Sequence, residues 1–130
     1  MRLRSWLHCS GLNIRRKRCG RNLLCLWRAF YLARAGERHI GFAQCALRHD
    51  YVEGTSTSPV GYLEGIYVLE EYRREGVAVG LLTACENWAR QSGCKEFASD
   101  CELDNTLSLR FHLAVGFEEA NRIICFAKKL

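Results

Sequence analysis

Six residues between an apolar segment and an amphipathic one have the composition of a phosphate-binding turn. They are Arg73-Arg74-Glu75-Gly76-Val77-Ala78. Where a turn opens a helix, unpaired backbone N–H groups and the helix dipole together favour an anion. Gly76 has no side chain to keep a ligand away from the backbone. The spacing is neither GxxxxGK[ST] nor GxGxxG, and in isolation the string is also typical of a solvated loop that caps a helix.

A carboxylate within the apolar segment 61–69, GYLEGIYVL, is the second chemical feature. An ionised carboxylate without a partner is unfavourable among apolar groups, so Glu64 is predicted either to pair with a cation or to act as a general base. Asp100 follows the next predicted strand, and we expect it at the same rim of the sheet as Glu64. Carboxylates gathered at one rim would attract a polycation through their summed field. Further members of this rim are expected among Asp50, Glu102 and Asp104.

The eight cysteines favour neither a zinc site nor a disulfide framework. They form no CxxC pair, no histidine stands at zinc-finger spacing, and we expect no metal. The start of the chain lacks a signal peptide pattern, since no clean apolar run follows Arg2 and Arg4 before Arg15. We therefore interpret the thiols as small apolar residues of a protein in the reducing cytoplasm. No stretch approaches the roughly 20 apolar residues of a membrane span.

Length and charge define one domain with an unusual start. The 130 residues suffice for a single domain, 1–130, with a net charge of +5. The charge is divided unevenly, with +9 on residues 1–34 and −4 on residues 35–130. The basic start is consistent with a nucleic-acid-binding arm, a transit peptide, or a segment poorly matched to the fold and without a clear period. We favour the third interpretation, and binding of nucleic acid is not the function expected.

Hydrophobic periodicity predicts alternating strands and helices from about residue 30 onward. Apolar and β-branched runs predict strands at 30–33, 40–47, 61–69, 96–99, 117–120 and 123–127. Apolar positions at helical spacing predict helices at 77–91 and 107–115, each followed by a glycine. The polar segment 50–59 is predicted to be a loop. This order predicts an α/β protein with a mixed central sheet flanked by helices, and ligands at the strand ends.

The order of these elements resembles the GNAT superfamily of N-acetyltransferases. The resemblance lies in a strand, the Arg73–Ala78 turn, an amphipathic helix, a short strand, Asn105 and a second helix that ends in Gly116-Phe117. The segments HDYVEGTSTSPVGYLEGIYV, CKEFASDCELDN and HLAVGFEEANRIICFAKK are more narrowly similar to aminoglycoside 6′-N-acetyltransferases of bacterial resistance. The similarity covers residues 30–130, whereas residues 1–29 are poorly matched. It implies a GNAT fold whose N-terminal part is incomplete.

The resemblance implies acetyl-CoA as the acetyl donor. In the family the backbone of the second half of the central strand pairs with the pantetheine arm and donates an N–H to the thioester oxygen; the matching residues are Ile66, Tyr67 and Val68. The turn and the start of the helix hold the pyrophosphate; the matching residues are Arg74, Glu75, Gly76, Val77, Ala78 and Val79. Asn105 matches a residue that binds the pantetheine end of the cofactor, although it is also a good helix N-cap.

The resemblance also implies an aminoglycoside acceptor. Glu64 would deprotonate the bound ammonium, Asp100 would contact the sugar or help to deprotonate it, and Tyr51 would contact the substrate. His112 stands where many members carry a tyrosine that protonates the leaving thiolate. For each residue a structural alternative is open. Glu64 would be half of an ion pair, Asp100 a turn cap, Tyr51 an exposed loop aromatic and His112 a bystander on its helix.

The sequence departs from the family on the substrate side. Members usually have two helices with a tryptophan and acidic residues before the second strand, whereas Trp6 and Trp27 have no convincing match. Asn121 replaces an acidic residue that often follows Gly-Phe-Glu-Glu. A polyamine or a peptide amine is therefore the alternative acceptor. Family members are often dimers, and we expect a homodimer.

Overall fold

The computed structural model describes residues 11–17 and 26–130, which form a five-stranded mixed sheet with two helices. The strands are β1 (Leu12–Arg16), β2 (Arg28–Ala35), β3 (Arg38–Arg48), β4 (Val60–Val68) and β5 (Phe97–Ser99). The helices are α1 (Val77–Gln91) and α2 (Thr106–Ala114), and a 3₁₀ turn covers Glu70–Tyr72. The strands follow chain order across the sheet, antiparallel from β1 to β4 and parallel between β4 and β5. The predicted α/β fold with a mixed sheet is confirmed.

Helix α1 covers one face of the sheet and forms the core with it. Its residues at offsets of four, four and three are buried as predicted: Val77, Leu81, Cys85 and Trp88. Burying a large apolar side chain of this kind stabilises a fold by about 1.5–3 kcal/mol. Gly61 permits the close approach of α1 to β4, since a Cβ at this position would lie 2.6 Å from the Cβ of Ala89. The core therefore fixes α1, and the turn that precedes it, against β4.

Strand β4 contains a bulge at Glu64. Gly65 pairs with Gln44 and Leu63 pairs with Cys45, so Glu64 is the extra residue on its strand. A bulge bends the strand and redirects the side chain of the inserted residue. The buried side of β4 changes phase there, because Leu63 packs in the core before the bulge and Val68 packs there after it. The bulge thus brings a carboxylate to the surface in the middle of an apolar strand.

Strands β4 and β5 pair over only part of their length. Three pairs connect them, Gly61 with Phe97, Tyr62 with Ala98 and Leu63 with Ser99. Within the described part of the chain, the second half of β4 has no strand beside it on this edge. The backbone groups that point away from β3 there can pair with an extended ligand, apart from the Val68 carbonyl, which accepts a hydrogen bond from Arg73 Nε. The opening between the two strands begins at Glu64.

Two sequence predictions about the chain ends are wrong, the first for part of its range. Residues 1–34 are predicted to lack a period, yet β1 pairs with β2 and turns Leu12 and Ile14 towards the core between exposed polar residues. The rest of this prediction at residues 1–10 and 18–25 lies outside the described residues. The basic side chains of β1 hide this alternation in the sequence. Residues 117–120 and 123–127 are not strands. No described backbone hydrogen bond joins residues 118–130 to the rest of the chain, so strand propensity there finds no partner.

Candidate active site

Glu64 forms an ion pair with Arg48 at the mouth of the opening. The Arg48 Nη2 atom donates to both carboxylate oxygens of Glu64, at 3.2 and 3.3 Å. Arg48 is the last residue of β3, which runs antiparallel to β4, so its side chain reaches the bulge from the neighbouring strand. The Glu64 side chain is one-third exposed (33%) and that of Arg48 is 42% exposed. Of the two chemical roles predicted for Glu64, the pairing with a cation is therefore present in the structure.

Tyr62 connects this ion pair to Asp100. The Arg48 guanidinium carbon lies 3.5 Å from the centre of the Tyr62 ring, a cation–π contact. The Tyr62 hydroxyl donates a hydrogen bond to the Asp100 carboxylate. Burial and this hydrogen bond raise the pKa of Tyr62 to about 12, so the hydroxyl stays a donor at neutral pH. The expectation that Asp100 and Glu64 share one rim is correct, since Leu63 pairs with Ser99 immediately before both.

His112 is held beside β4 by hydrogen bonds at both ring nitrogens. Its Nδ1 atom lies 2.7 Å from the carbonyl oxygen of Ser108, so Nδ1 carries a proton, because a carbonyl only accepts. Its Nε2 atom lies 2.8 Å from Ser99 Oγ, which in turn lies 3.3 Å from the carbonyl oxygen of Leu63. The imidazole and the Ser99 hydroxyl therefore form a chain that can move a proton towards the opening between β4 and β5.

The turn before α1 has the conformation of an anion-binding site. Gly76 is the N-cap of α1, with a left-handed φ of 81° and no side-chain cap. Arg74 also has a positive φ of 63°, which is strained for a residue with a side chain and frequent at ligand sites. The Arg73 Nε donates to the Val68 carbonyl at 2.8 Å and joins the turn to the end of β4. The first N–H groups of α1 therefore face out at the end of the unpaired β4 edge.

The other residues predicted to bind the cofactor lie in the second half of β4 and at the start of α2. Tyr67 is 48% exposed, whereas Val68 is buried in the core, so only the backbone of this part of β4 presents a continuous edge. Asn105 is the N-cap of α2, and its Oδ1 atom accepts a hydrogen bond from the Ser108 N–H at 3.1 Å. The capping role that the residue type predicted is therefore confirmed for Asn105. Its amide nitrogen remains as the group that can donate to a ligand.

The loop between β3 and β4 forms an open recess next to this rim. The recess has a volume of about 450 Å³ and is lined by His49, Asp50, Tyr51, Val52, Thr55, Ser56, Thr57 and Ser58. Glu96 fixes the loop from the start of β5 by accepting hydrogen bonds from the backbone N–H groups of Ser56 and Thr57, at 3.0 and 2.8 Å. The Thr57 hydroxyl also donates to this carboxylate, and that bond, followed by the backbone bonds, lowers the pKa of Glu96. Tyr51 is 79% exposed, so the loop presents it to solvent at the recess.

Three residues at this rim were not singled out from the sequence. Arg48 and Tyr62 connect Glu64 to Asp100, and Ser99 connects His112 to the Leu63 carbonyl of β4. Tyr62 and Ser99 belong to strands that were predicted, but their partners depend on strand register, which one sequence does not reveal. Trp6 lies outside the described residues, and Trp27 is an exposed residue whose ring contacts His49.

Five of the eight cysteines lie in the described part of the chain, and all five are free. Cys45, Cys85 and Cys94 are buried and free, and Cys101 and Cys125 are exposed and free. Cys9, Cys19 and Cys25 lie outside the described residues. Within residues 11–17 and 26–130, no group of three or more potential metal ligands comes together. No described helix has the length and hydrophobicity needed to cross a bilayer.

Comparison with known proteins identifies the family. Residues 2–117 match the sequence profile of the Acetyltransferase (GNAT) family. The chain belongs to the GNAT acetyltransferases. One relative of this GNAT chain is the aminoglycoside N(6')-acetyltransferase type 1 of Acinetobacter baumannii, 49% identical over 94 residues. The match covers 72% of this chain and 64% of that protein, so the GNAT chain spans somewhat less than two-thirds of the length of this relative.

Solved structures agree with the family assignment. The structure of AAC(6')-Iy in complex with a bisubstrate analog, CoA-S-monomethyl-acetylneamine, has a TM-score of 0.84 to this GNAT chain at 35% identity. That match covers 93% of this chain and 100% of the other. AAC(6')-Ih from Acinetobacter baumannii has a TM-score of 0.82 at 38% identity, covering 92% of this chain and 99% of the other. The predicted GNAT fold is confirmed.

Proposed function

We propose that the protein transfers the acetyl group of acetyl-CoA to the 6′-amine of aminoglycosides and thereby confers resistance to them. The observation that carries this proposal is the opening between β4 and β5. It has an anion-binding turn at the end of β4 and two carboxylates, Glu64 and Asp100, at its mouth. The named activities of the relatives, aminoglycoside N(6')-acetyltransferase and AAC(6'), support the same chemistry.

Acetyl-CoA would lie along the unpaired edge of β4. The backbone of Ile66, Tyr67 and Val68 would pair with the pantetheine arm as a neighbouring strand would, and an N–H near Val68 would polarise the thioester carbonyl. The pyrophosphate would bind the positive end of α1, at Arg74, Glu75, Gly76, Val77, Ala78 and Val79. Asn105 would donate its amide N–H to the pantetheine end. The CoA-containing analog bound by AAC(6')-Iy supports this donor.

The acceptor would reach the thioester from the carboxylate rim. Glu64 takes a proton from the substrate ammonium, directly or through water, and the neutral amine attacks the thioester carbon. The second proton of the amine nitrogen is lost to water as the C–S bond breaks. His112, protonated at both ring nitrogens, gives its Nε2 proton to Ser99 Oγ while the Ser99 hydroxyl gives its own proton to the CoA thiolate. Asp100, fixed by Tyr62, attracts the polycation, and Tyr51 contacts it from the loop. The products are an amide and free CoA.

An amine panel tests the proposal. The purified chain is incubated with acetyl-CoA and, separately, with a 6′-amino aminoglycoside, a linear polyamine and a peptide with a free N-terminus, and thiol release is recorded. We expect turnover with the aminoglycoside well above that of the other amines. Turnover restricted to the polyamine or the peptide would assign a different acceptor, and no turnover with any amine would contradict the proposal.

We also infer that the chain forms a homodimer through its C-terminal segment, residues 118–130. This segment exposes Ile123, Ile124 and Phe126 at 71%, 81% and 91%, which is unfavourable in a monomer in water. A second copy that covers these side chains would bury them, and the exposed edge of β5 is a surface available to such a segment.

Light scattering of the full chain tests the dimer. We expect twice the chain mass at micromolar concentration. The double substitution Ile124→Asp with Phe126→Asp should give a monomer, whereas Lys128→Asp, which changes charge in the same segment, should not. A monomeric full chain would contradict the dimer.

Two remaining proposals concern the whole chain. We propose that residues 1–130 form one acetyltransferase domain, with 1–29 the part least similar to its relatives. We place the protein in the cytoplasm, where acetyl-CoA is available and where free thiols such as Cys45 and Cys85 persist.

A further inference from the structure

Arg48 occupies the place that a substrate ammonium needs. Its Nη2 atom lies within hydrogen-bond distance of both Glu64 oxygens, so the carboxylate that would accept the substrate proton already faces a cation. An arginine stays protonated at all physiological pH values and cannot be the reacting amine. It is also attached to β3, whose last residue it is, and therefore cannot leave the site. The substrate must compete with it or share Glu64 with it.

The contacts of Arg48 allow it to release Glu64 without leaving the rim. Its guanidinium lies 3.5 Å from the centre of the Tyr62 ring, so the ring holds the cation independently of the carboxylate. The Tyr62 ring is fixed in turn by burial, at 7% exposure, and by its hydrogen bond to Asp100. Partly exposed ion pairs of this kind are weak, so a polycation can replace one.

We propose that Arg48 is the resting counter-ion of Glu64, that the substrate ammonium displaces it, and that its charge then favours the neutral amine. This inference rests on the proposed function. A guanidinium held on Tyr62 beside a bound ammonium repels it and lowers the pKa of that amine. Arg48 thus weakens substrate binding and promotes loss of the substrate proton. It is a positioning residue, because it acts through Glu64 and through the field at the amine.

The other charged and titratable groups around Glu64 define the background for this effect. They are Tyr62 on β4, Asp100 after β5, His112 on α2 and His49 directly after Arg48. In the described part of the chain, Arg48 is the basic residue that forms an ion pair with Glu64. Loss of the Arg48 charge should therefore change the electrostatic potential at the Glu64 carboxylate.

The structure provides a matched control at the other end of β3. Arg38 pairs with Glu71 at 2.8 Å, and its guanidinium lies 5.7 Å from the centre of the Tyr72 ring. Arg38→Met thus removes the same kind of charge, ion pair and ring contact away from the rim. Arg48→Met keeps an unbranched side chain over Tyr62 without the charge, and Arg48→Lys restores the charge.

The test combines calorimetry of aminoglycoside binding with the pH profile of turnover. We expect Arg48→Met to bind a 6′-amino aminoglycoside about threefold to fivefold more tightly, the range that loss of one exposed ion pair allows. We also expect the rise of its kcat with pH to move to higher pH. Arg48→Lys should resemble the wild type in both, and Arg38→Met should change neither. Thermal unfolding of each variant confirms that it is folded.

Weaker or unchanged binding by Arg48→Met, or no binding by either protein, overturns the proposal. Tighter binding with an unmoved pH profile overturns it as well, because Arg48 would then be only a competing cation. The calorimetric comparison does not require turnover. A wild type that binds the aminoglycoside but acetylates no amine would contradict the proposed function. The affinities would then still test the displacement of Arg48, and their pH dependence in the wild type and Arg48→Met would test its effect on the pKa of the amine.

Discussion

Tyr62 on β4 donates a hydrogen bond to the carboxylate of Asp100, the residue that follows β5. Backbone pairing places Tyr62 opposite Ala98, so its side chain reaches two residues further along the neighbouring strand. The bond therefore links β4 to the residue after β5, just beyond the last backbone pair between the two strands. It also fixes one carboxylate of the rim at a defined position beside the other, Glu64.

Alkaline unfolding should reveal the Tyr62–Asp100 bond. The folded chain keeps the Tyr62 proton to a pKa of about 12, whereas the unfolded phenol loses it at 10.0. The resulting stabilisation is complete below about pH 10 and is lost as the pH rises to about 12. We expect the free energy of unfolding of the wild type to fall over this range relative to Tyr62→Phe, which has no hydroxyl to titrate.

The difference between the two proteins is the informative quantity, since other groups that titrate above pH 10 are common to both. A constant difference from pH 9 to pH 12 would mean that Tyr62 titrates normally.

Substitution of Gly76 should weaken acetyl-CoA binding. Gly76 caps α1 with a φ of 81°, a conformation that costs a β-branched residue about 1–3 kcal/mol. We expect Gly76→Val to lower the affinity for acetyl-CoA at least tenfold in calorimetry, because the side chain would also obstruct the N–H groups of the helix start.

Gly36 is the matched control. It has a φ of 60° in the turn between β2 and β3, and an added Cβ would meet no atom within 4 Å. Gly36→Val should therefore lower the melting temperature while leaving acetyl-CoA affinity intact. Equal losses of affinity in both variants would show that the effect is general destabilisation.

Neutralising Glu64 should separate chemistry from donor binding. Glu64→Gln keeps the shape of the side chain but cannot accept a proton, so kcat should fall by about 10²-fold or more if Glu64 is the general base. The affinity for acetyl-CoA should stay within twofold of the wild type. An unchanged kcat would leave Glu64 as the ion-pair partner of Arg48 only.

The proton chain to the leaving group predicts matching effects at two residues. His112 Nε2 and Ser99 Oγ are 2.8 Å apart, so loss of either should interrupt the same path. We expect His112→Phe and Ser99→Ala each to lower kcat by about tenfold. This loss is smaller than the usual contribution of a general acid, about 10²-fold or more, because a thiolate leaves readily. The double variant should be no slower than the slower single variant. Additive losses would indicate independent roles.

The sequence predicted best those elements whose bounds depend only on residues within or next to them. Helix α1 was predicted with its observed bounds, because its apolar face and Gly93 are both local signals. Strand β1 was missed because its inward apolar pattern covers only Leu12 and Ile14 and is followed by Arg15 and Arg16. The C-terminal strands were predicted from propensity, which does not supply a hydrogen-bonding neighbour.

The site was predictable in its residues but not in its contacts. Glu64 stood out as a charge in an apolar strand, and Asp100 as the residue after the next strand. The bulge that exposes Glu64 and the strand register that brings Arg48 to it depend on pairing between distant segments. A sequence pattern thus identifies the carboxylate, and only the fold identifies its partner.

A matched pair of substrates shows whether the 6′-amine is the group that is acetylated. Two aminoglycosides that are identical except for an amine or a hydroxyl at the 6′ position are each incubated with the protein and acetyl-CoA, and the product masses are measured. We expect one added acetyl group on the 6′-amino compound and none on the 6′-hydroxyl compound. Acetylation of both compounds to the same extent would contradict this expectation.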